Sequence, residues 1–185
     1  MKHCGTMQLE TQRLLLRRFT EQDIPAMFKN WASHPAVTRC LTWVSHRSEK
    51  ETRAVVEGWL QQYKHKDFYE WAIVEKATGQ LIGSIGLVGG GSRKCCEAGY
   101  CLGEQWWNLG YATEALRAVL HFAVKKVGYR RVMVKHAVEN PASGRVMQKA
   151  GMSMRIGETL EVPTSNGQFQ CLVYEFSAPG RLFFR

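Results

Sequence analysis

Residues Gln105 to Leu120 read QWWNLGYATEALRAVL, a short loop running straight into an amphipathic helix. Its centre is Trp107-Asn108-Leu109-Gly110-Tyr111-Ala112-Thr113. A helix start leaves its first amide N–H groups without internal partners, and the aligned peptide dipoles add partial positive charge there, so the segment suits an anion. Gly110 and Ala112 keep side-chain bulk away from a backbone that a ligand must approach closely. Downstream, Ala115, Leu116, Val119, Leu120 and Ala123 recur at helical spacing, predicting a helix from Thr113 to Val127 that Gly128 suits to end.

The flanking sequence alternates between periods of two and of 3.6. Leu14-Leu15-Leu16-Arg17 reads as a strand, and Thr20 with Asp23 marks a helix start over Ile24 to Trp31, which His34-Pro35 breaks. Ser48 with Glu51 opens a second helix carrying Val55, Val56, Trp59, Leu60 and Tyr63 on one face. From Tyr69, Trp71 and Ile73 the period becomes two, and Ala77 to Gln80 turns the chain into a strand over Leu81 to Val88. Gly89-Gly90-Gly91 precedes Ser92-Arg93-Lys94 and another strand instead of a helix, so it reads as a hairpin turn and not as a phosphate loop. Glu97 to Leu102 then points into the central loop. After a strand over Arg131 to Ala137, Asn140-Pro141 starts a helix that Gly151 stops. Two final strands, Met154 to Glu161 and Phe169 to Ser177, flank a Ser165-Asn166-Gly167 turn. The pattern predicts a mixed α/β (α+β) fold, with a largely antiparallel central sheet of about seven strands flanked by about four helices. With neither repeat nor linker, residues 1–185 read as a single domain with a core over about 8–178.

Hydrophobic residues make up 45% of the chain, enough for a sizeable core. The start, MKHCGTMQLETQ, has no apolar run suited to a signal peptide, and no stretch is long enough to span a bilayer, so a cytoplasmic protein without membrane contact is expected. The six cysteines show neither a Cys-x-x-Cys pair nor a zinc-like spacing with histidine, which favours reduced thiols and no metal. A net charge of +9 invites an anionic partner. Its basic residues fall in small groups, however, which favours solvated faces and a phosphorylated ligand over nucleic acid.

The run Trp107-x-x-Gly110-Tyr111-Ala112-Thr113-Glu114-Ala115 resembles the pyrophosphate loop of the GCN5-related N-acetyltransferases, whose usual pattern is Gln/Arg-x-x-Gly-x-Gly/Ala. Here Trp107 stands where a Gln or Arg would donate to phosphate. The wording is most similar to the branch that acetylates the alanine or serine amino termini of ribosomal proteins. A second feature, Asn140-Pro141-Ala142-Ser143, resembles the superfamily's Asn-x-x-Ser/Ala signature, although Asn140 is equally suited to cap a helix. The order of elements resembles that fold over nearly the whole chain.

The resemblance implies acetyl-CoA as cofactor and transfer of its acetyl group to a primary amine. It implies CoA contacts at Cys101, Leu102, Trp107, Asn108, Leu109, Gly110, Tyr111, Ala112, Thr113, Asn140, Ser143 and Met147. Many relatives carry a proton-donating tyrosine seven positions after the Asn. Met147 occupies that place and cannot serve, leaving Ser143 as the acid, or as an ordinary first-turn residue. Glu97, on the strand entering the loop, is the implied base if burial raises its pKa, and a surface carboxylate paired with Lys or Arg otherwise. Glu70 is the second candidate. The strand is expected to splay after Tyr100 and Cys101, freeing the Leu102 amide as an oxyanion donor. Cys101 then sits beside the cofactor without being a nucleophile, and transfer is direct and sequential.

Trp31, Trp43 and Trp71, with Tyr69 and Trp106, could wall the acceptor site, and core packing explains any one of them equally well. Residues His34 to Arg47 would set acceptor choice. Acceptors consistent with the resemblance are a protein amino terminus or a small amine such as a polyamine or aminoglycoside. The lack of an acidic cluster in residues 24–47 favours the peptide. A CoA-binding module without turnover is the rival reading, and both monomer and homodimer stay open.

Overall fold

The computed structural model describes residues 1–89, 94–164 and 167–178. Eight strands run β1 (Leu9–Glu10), β2 (Leu14–Arg17), β3 (Tyr69–Glu75), β4 (Leu81–Gly89), β5 (Cys95–Leu102), β6 (Arg131–Ala137), β7 (Ser153–Thr164) and β8 (Gly167–Ser177). They form one sheet in the order β1-β2-β3-β4-β5-β6-β8-β7, antiparallel except where β6 joins β5 in parallel. Five α-helices accompany it: α1 (Ile24–Met27), α2 (Pro35–Thr38), α3 (Glu49–Gln62), α4 (Tyr111–Phe122) and α5 (Pro141–Lys149). The elements beyond the seven strands and four helices anticipated are β1 and α2, each too short to show a period. Pro35 explains α2: the proline that ends one helix is tolerated at the first position of the next. Gly90 to Arg93, Ser165, Asn166 and the tail from Pro179 lie outside the described residues, and with them most of the two expected glycine-containing turns.

Alternation along β3 decides the layers. Trp71 and Ile73 face α4 with Leu116, Leu120 and Phe122, whereas Ala72 and Val74 face Ile24, Met27, Trp31 and Val56 from α1, the turn after it and α3. The α1 start is held as the Thr20/Asp23 spacing predicts: the Thr20 N–H donates to Asp23 Oδ2 at 2.8 Å. At α3 the capping box differs from expectation. Glu51 Oε2 accepts from the Arg47 N–H at 2.9 Å, and the Ser48 side chain makes no cap.

The first seven residues, placed outside the expected core, are tied across the sheet. The Trp71 Nε1–H donates to the Met7 carbonyl at 2.7 Å, Arg18 Nε to the Thr6 carbonyl at 2.9 Å, and the Lys2 N–H to the Val127 carbonyl at 2.8 Å. Among the described residues no helix is long and apolar enough to cross a membrane.

Candidate active site

Pairing of β5 with β6 covers three rows, ending at Glu97 opposite Met133. Beyond that row the strands part, earlier than the parting anticipated after Cys101, while β5 stays paired to β4 as far as Leu102 opposite Gly83. A cleft of about 1220 Å³ opens between Ala98–Leu102 and Val134–Ala137 and extends over the starts of α4 and α5.

Gly110 caps α4 at φ +83°, a conformation that glycine adopts without strain, and no side chain caps the helix. The first-turn amides of α4 are therefore presented to the cleft. The helix begins at Tyr111, two residues before the predicted start, because the cap is the backbone turn at Gly110 and not Thr113. Arg13, between β1 and β2, brings a cation to this loop. Its Nη1 donates to the Leu109 carbonyl at 2.9 Å, and its guanidinium lies 4.4 Å from the centre of the Tyr111 ring. Glu114, in the first turn of α4, holds Arg13 in place: it accepts from Arg13 Nε at 2.7 Å, from the Arg13 N–H at 2.8 Å and from Thr11 Oγ1 at 2.6 Å. Nothing local in the sequence marks Arg13 for this position, since its partner lies in another element.

Asn140 caps α5 by accepting from the Ser143 N–H at 3.3 Å. Ser143 Oγ is 2.8 Å from the Tyr100 hydroxyl on β5, which also donates to the Ser143 carbonyl at 3.2 Å. Withdrawal from water pushes the Tyr100 phenol up to about 12, against the smaller opposing pull of Ser143. Tyr100 was legible as a strand residue but not as Ser143's partner.

Of the expected contacts, Cys101, Leu102, Trp107, Asn108, Gly110, Tyr111, Ala112, Thr113, Asn140 and Ser143 line the cleft. Met147 does not: it is fully buried on the core face of α5. The exposed Leu109 side chain also lies outside the lining, and its carbonyl is taken by Arg13. Trp107 spends its indole N–H on the Leu102 carbonyl at 2.8 Å. The expected acceptor walls are displaced as well. Trp31 and Trp71 are fully buried on opposite faces of the sheet, and Trp43 packs against the Trp31 cluster with its ring 5.3 Å from that of His46. Trp106 borders the cleft, beside a wall of Ala36, Val37, Leu41 and Thr42 from α2 and the segment after it.

Glu97 lines the cleft and takes the second of its two readings, a surface carboxylate paired with a lysine. Its side chain is 44% exposed and paired with Lys135 Nζ at 2.9 Å, because its row is the last before the strands part. Glu70 is the desolvated carboxyl. Burial pushes it up to about 8, with a hydrogen bond from Ser84 pulling the other way. Burial likewise pushes the Cys101 thiol up to about 11, so it carries no thiolate at neutral pH.

A sheet parted at its parallel β5–β6 junction, with a helix start on one side and paired hydroxyls on the other, defines a binding cleft for an elongated ligand carrying an anionic group. Residues 13–153 match the family model described as the acetyltransferase (GNAT) domain. The chain is 30% identical to the uncharacterized N-acetyltransferase YoaA of Bacillus subtilis over 144 residues, covering 77% of this chain and 81% of that protein. It is 22% identical over 154 residues to the [ribosomal protein uS5]-alanine N-acetyltransferase of Escherichia coli, covering 78% and 77% respectively. A solved GNAT-family acetyltransferase from Bacillus anthracis superposes with a TM-score of 0.80 at 24% identity, covering 92% of this chain and 98% of that one. The chain belongs to the GNAT acetyltransferase family and is an acetyl-CoA-dependent N-acetyltransferase.

Proposed function

We propose that this enzyme acetylates a protein amino terminus by direct transfer, with the α4 start and Arg13 holding the cofactor's phosphates. The observation that carries the reading is the uncapped start of α4 opening into the cleft with the Arg13 guanidinium beside it. Anions bind such a terminus through backbone donors, so the loss of a side-chain donor at Trp107 is tolerated. Acetyl-CoA, when bound, supplies an activated acetyl thioester.

Within the chain, the Tyr100 and Ser143 hydroxyls can hold a proton beside the parted strands for the departing thiolate. Cys101, protonated at neutral pH, is unsuited to carry the acetyl group itself, which supports a sequential route. The wall formed by Ala36, Val37, Leu41, Val162 and Cys171 is apolar, and the nearby Glu97 is neutralised by Lys135. Such a surface offers a polycation little attraction and suits the first residues of a peptide. The similarity to an alanine N-acetyltransferase supports the same acceptor class.

The test is acetyl transfer to peptides with alanine or serine amino termini, to the same peptides with blocked α-amines, and to spermidine and kanamycin, read by mass spectrometry. Modification confined to free α-amines supports the reading, whereas preferential labelling of spermidine or kanamycin overturns the peptide assignment.

A further inference from the structure

Side chains that pair across adjacent strands share a face of the sheet. Glu70 on β3 lies opposite Gly86 on β4, and Gly86 opposite Gly99 on β5. One row along, Ala72 lies opposite Ser84 and Ser84 opposite Cys101. The Glu70 carboxylate leans across the bare Gly86: a Cβ added there would sit 2.1 Å from Glu70 Oε2. Ser84 shares that face two positions along β4, and its Oγ lies 3.6 Å from Cys101 Sγ. Cys101 and Gly99 both line the cleft, and a Cβ on Gly99 would meet open space.

We propose that Ser84 and Cys101 form a proton path from the cleft into the sheet, ending on the Glu70 carboxylate, which receives the proton lost by the acceptor amine. The proposal rests on the acetyl-transfer reading above. In the balanced step the amine nitrogen gives its proton to Cys101 Sγ as the Cys101 S–H proton moves to Ser84 Oγ. The Ser84 hydroxyl proton moves to Glu70 at the same time. No thiolate accumulates and no bond to sulfur forms. The net change is one proton from nitrogen to carboxylate, which exchanges with water after turnover.

The surroundings suit an acceptor of protons. Facing Glu70 are the Tyr63 hydroxyl at the end of α3, which donates to the Glu70 carbonyl at 3.0 Å, Thr6 Oγ1, which accepts from the Glu70 N–H at 3.1 Å, and Ser84 and Cys101 from β4 and β5. Among the described residues no ion pair engages the Glu70 carboxylate, in contrast to Glu97, which is held by Lys135. Burial raises the pKa of the Glu70 carboxyl, and among the described residues no neighbouring cation opposes it.

The experiment compares pH profiles of kcat/KM for the native enzyme, Glu70→Gln, Ser84→Ala, Cys101→Ser and Cys101→Ala. All use acetyl-CoA and one alanine-terminated peptide, so the amine's own titration is common to every curve. Glu70→Gln and Ser84→Ala are each expected to lose about 100-fold and to lose the rise through about pH 8, with the double variant no worse than either. Cys101→Ser is expected to retain more activity than Cys101→Ala, since a hydroxyl can pass a proton. Acetyl-CoA binding by calorimetry identifies folded variants, and Ser84→Ala decides if Glu70→Gln does not fold. A second readout needs no turnover: the pH midpoint of iodoacetamide labelling at Cys101, followed by mass spectrometry, is expected to fall in Glu70→Gln as a neighbouring negative charge is removed. Native transfer with unaltered rates and profiles in Glu70→Gln or Ser84→Ala overturns the path alone. Absence of transfer to any amine overturns the reading on which it rests.

Discussion

The hydroxyls of Tyr100 and Ser143 lie 2.8 Å apart where β5 and β6 have parted, joining a strand residue to the first turn of α5. Neither group alone is a good acid, but each can hand the other a proton, and burial keeps the phenol protonated well above neutrality. Tyr100→Phe is expected to lower kcat about 100-fold and Ser143→Ala about tenfold, with little change in KM for acetyl-CoA. Steady-state kinetics with a peptide acceptor checks both. An equal loss in KM would instead assign the pair to cofactor binding.

The α4 start should be sensitive to charge. Gly110→Glu places a carboxylate at the anion site and forces a side chain into φ +83°, so calorimetry should show acetyl-CoA binding lost while circular dichroism shows the fold kept. Arg13→Ala removes one charge-assisted donor and should weaken binding by roughly tenfold.

Asp23 is almost fully buried and forked with Arg17, with both N···O distances 2.7 Å. Burial opposes ionisation there, but Arg17 and the Thr20 N–H outweigh it and hold the carboxyl below its ordinary value. A depressed folded pKa contributes stability that is present above the unfolded value of 3.8 and lost as pH falls through the folded one. Asp23→Asn should therefore cost about 2–3 kcal/mol at pH 7, and the gap from native should narrow below pH 4. Urea unfolding at pH 7 and pH 3 measures it.

Gly103 sits where β5 turns into the loop before α4, with φ –60°, so its backbone would accept any residue. Space is the constraint. A Cβ there would lie 2.4 Å from the Asn30 carbonyl and 2.7 Å from the Trp106 ring. Gly103→Ala should lower stability by about 1–3 kcal/mol, seen as a reduced Tm.

Glu70 offers a complementary sign. Its folded pKa is raised, so its ionisation is a cost that grows as pH rises from about 4.5 to about 8. Glu70→Gln should be more stable than native at pH 9, by a few kcal/mol at most, and show little difference at pH 4. Thermal melts at the two pH values check this.

Much of the fold was readable because its signals are local. Alternation over Tyr69 to Glu75 and helical spacing from Ala115 to Ala123 each report one element's buried face within a few residues. Met147 was placed in the cleft by the resemblance and lies in the core, while Trp71 takes the core-packing one of its two readings. Periodicity marks a residue as inward-facing, and an inward face can line either a core or a cleft. Glu97 and Glu70 both lie on strands, and only the end of β5–β6 pairing puts one at the cleft while the other leans over Gly86.

By itself, then, the sequence determined the amphipathic helix that follows Gly110, the Asn140 cap, the run of strands and the family's loop, all of which depend on residues a few positions apart. The tertiary structure alone decided that Arg13 meets Glu114, that Tyr100 meets Ser143, and that Glu70 leans over Gly86 on the face where Ser84 meets Cys101. Strand order and register bring those groups together, and both are set by which buried faces pack against each other across the whole sheet.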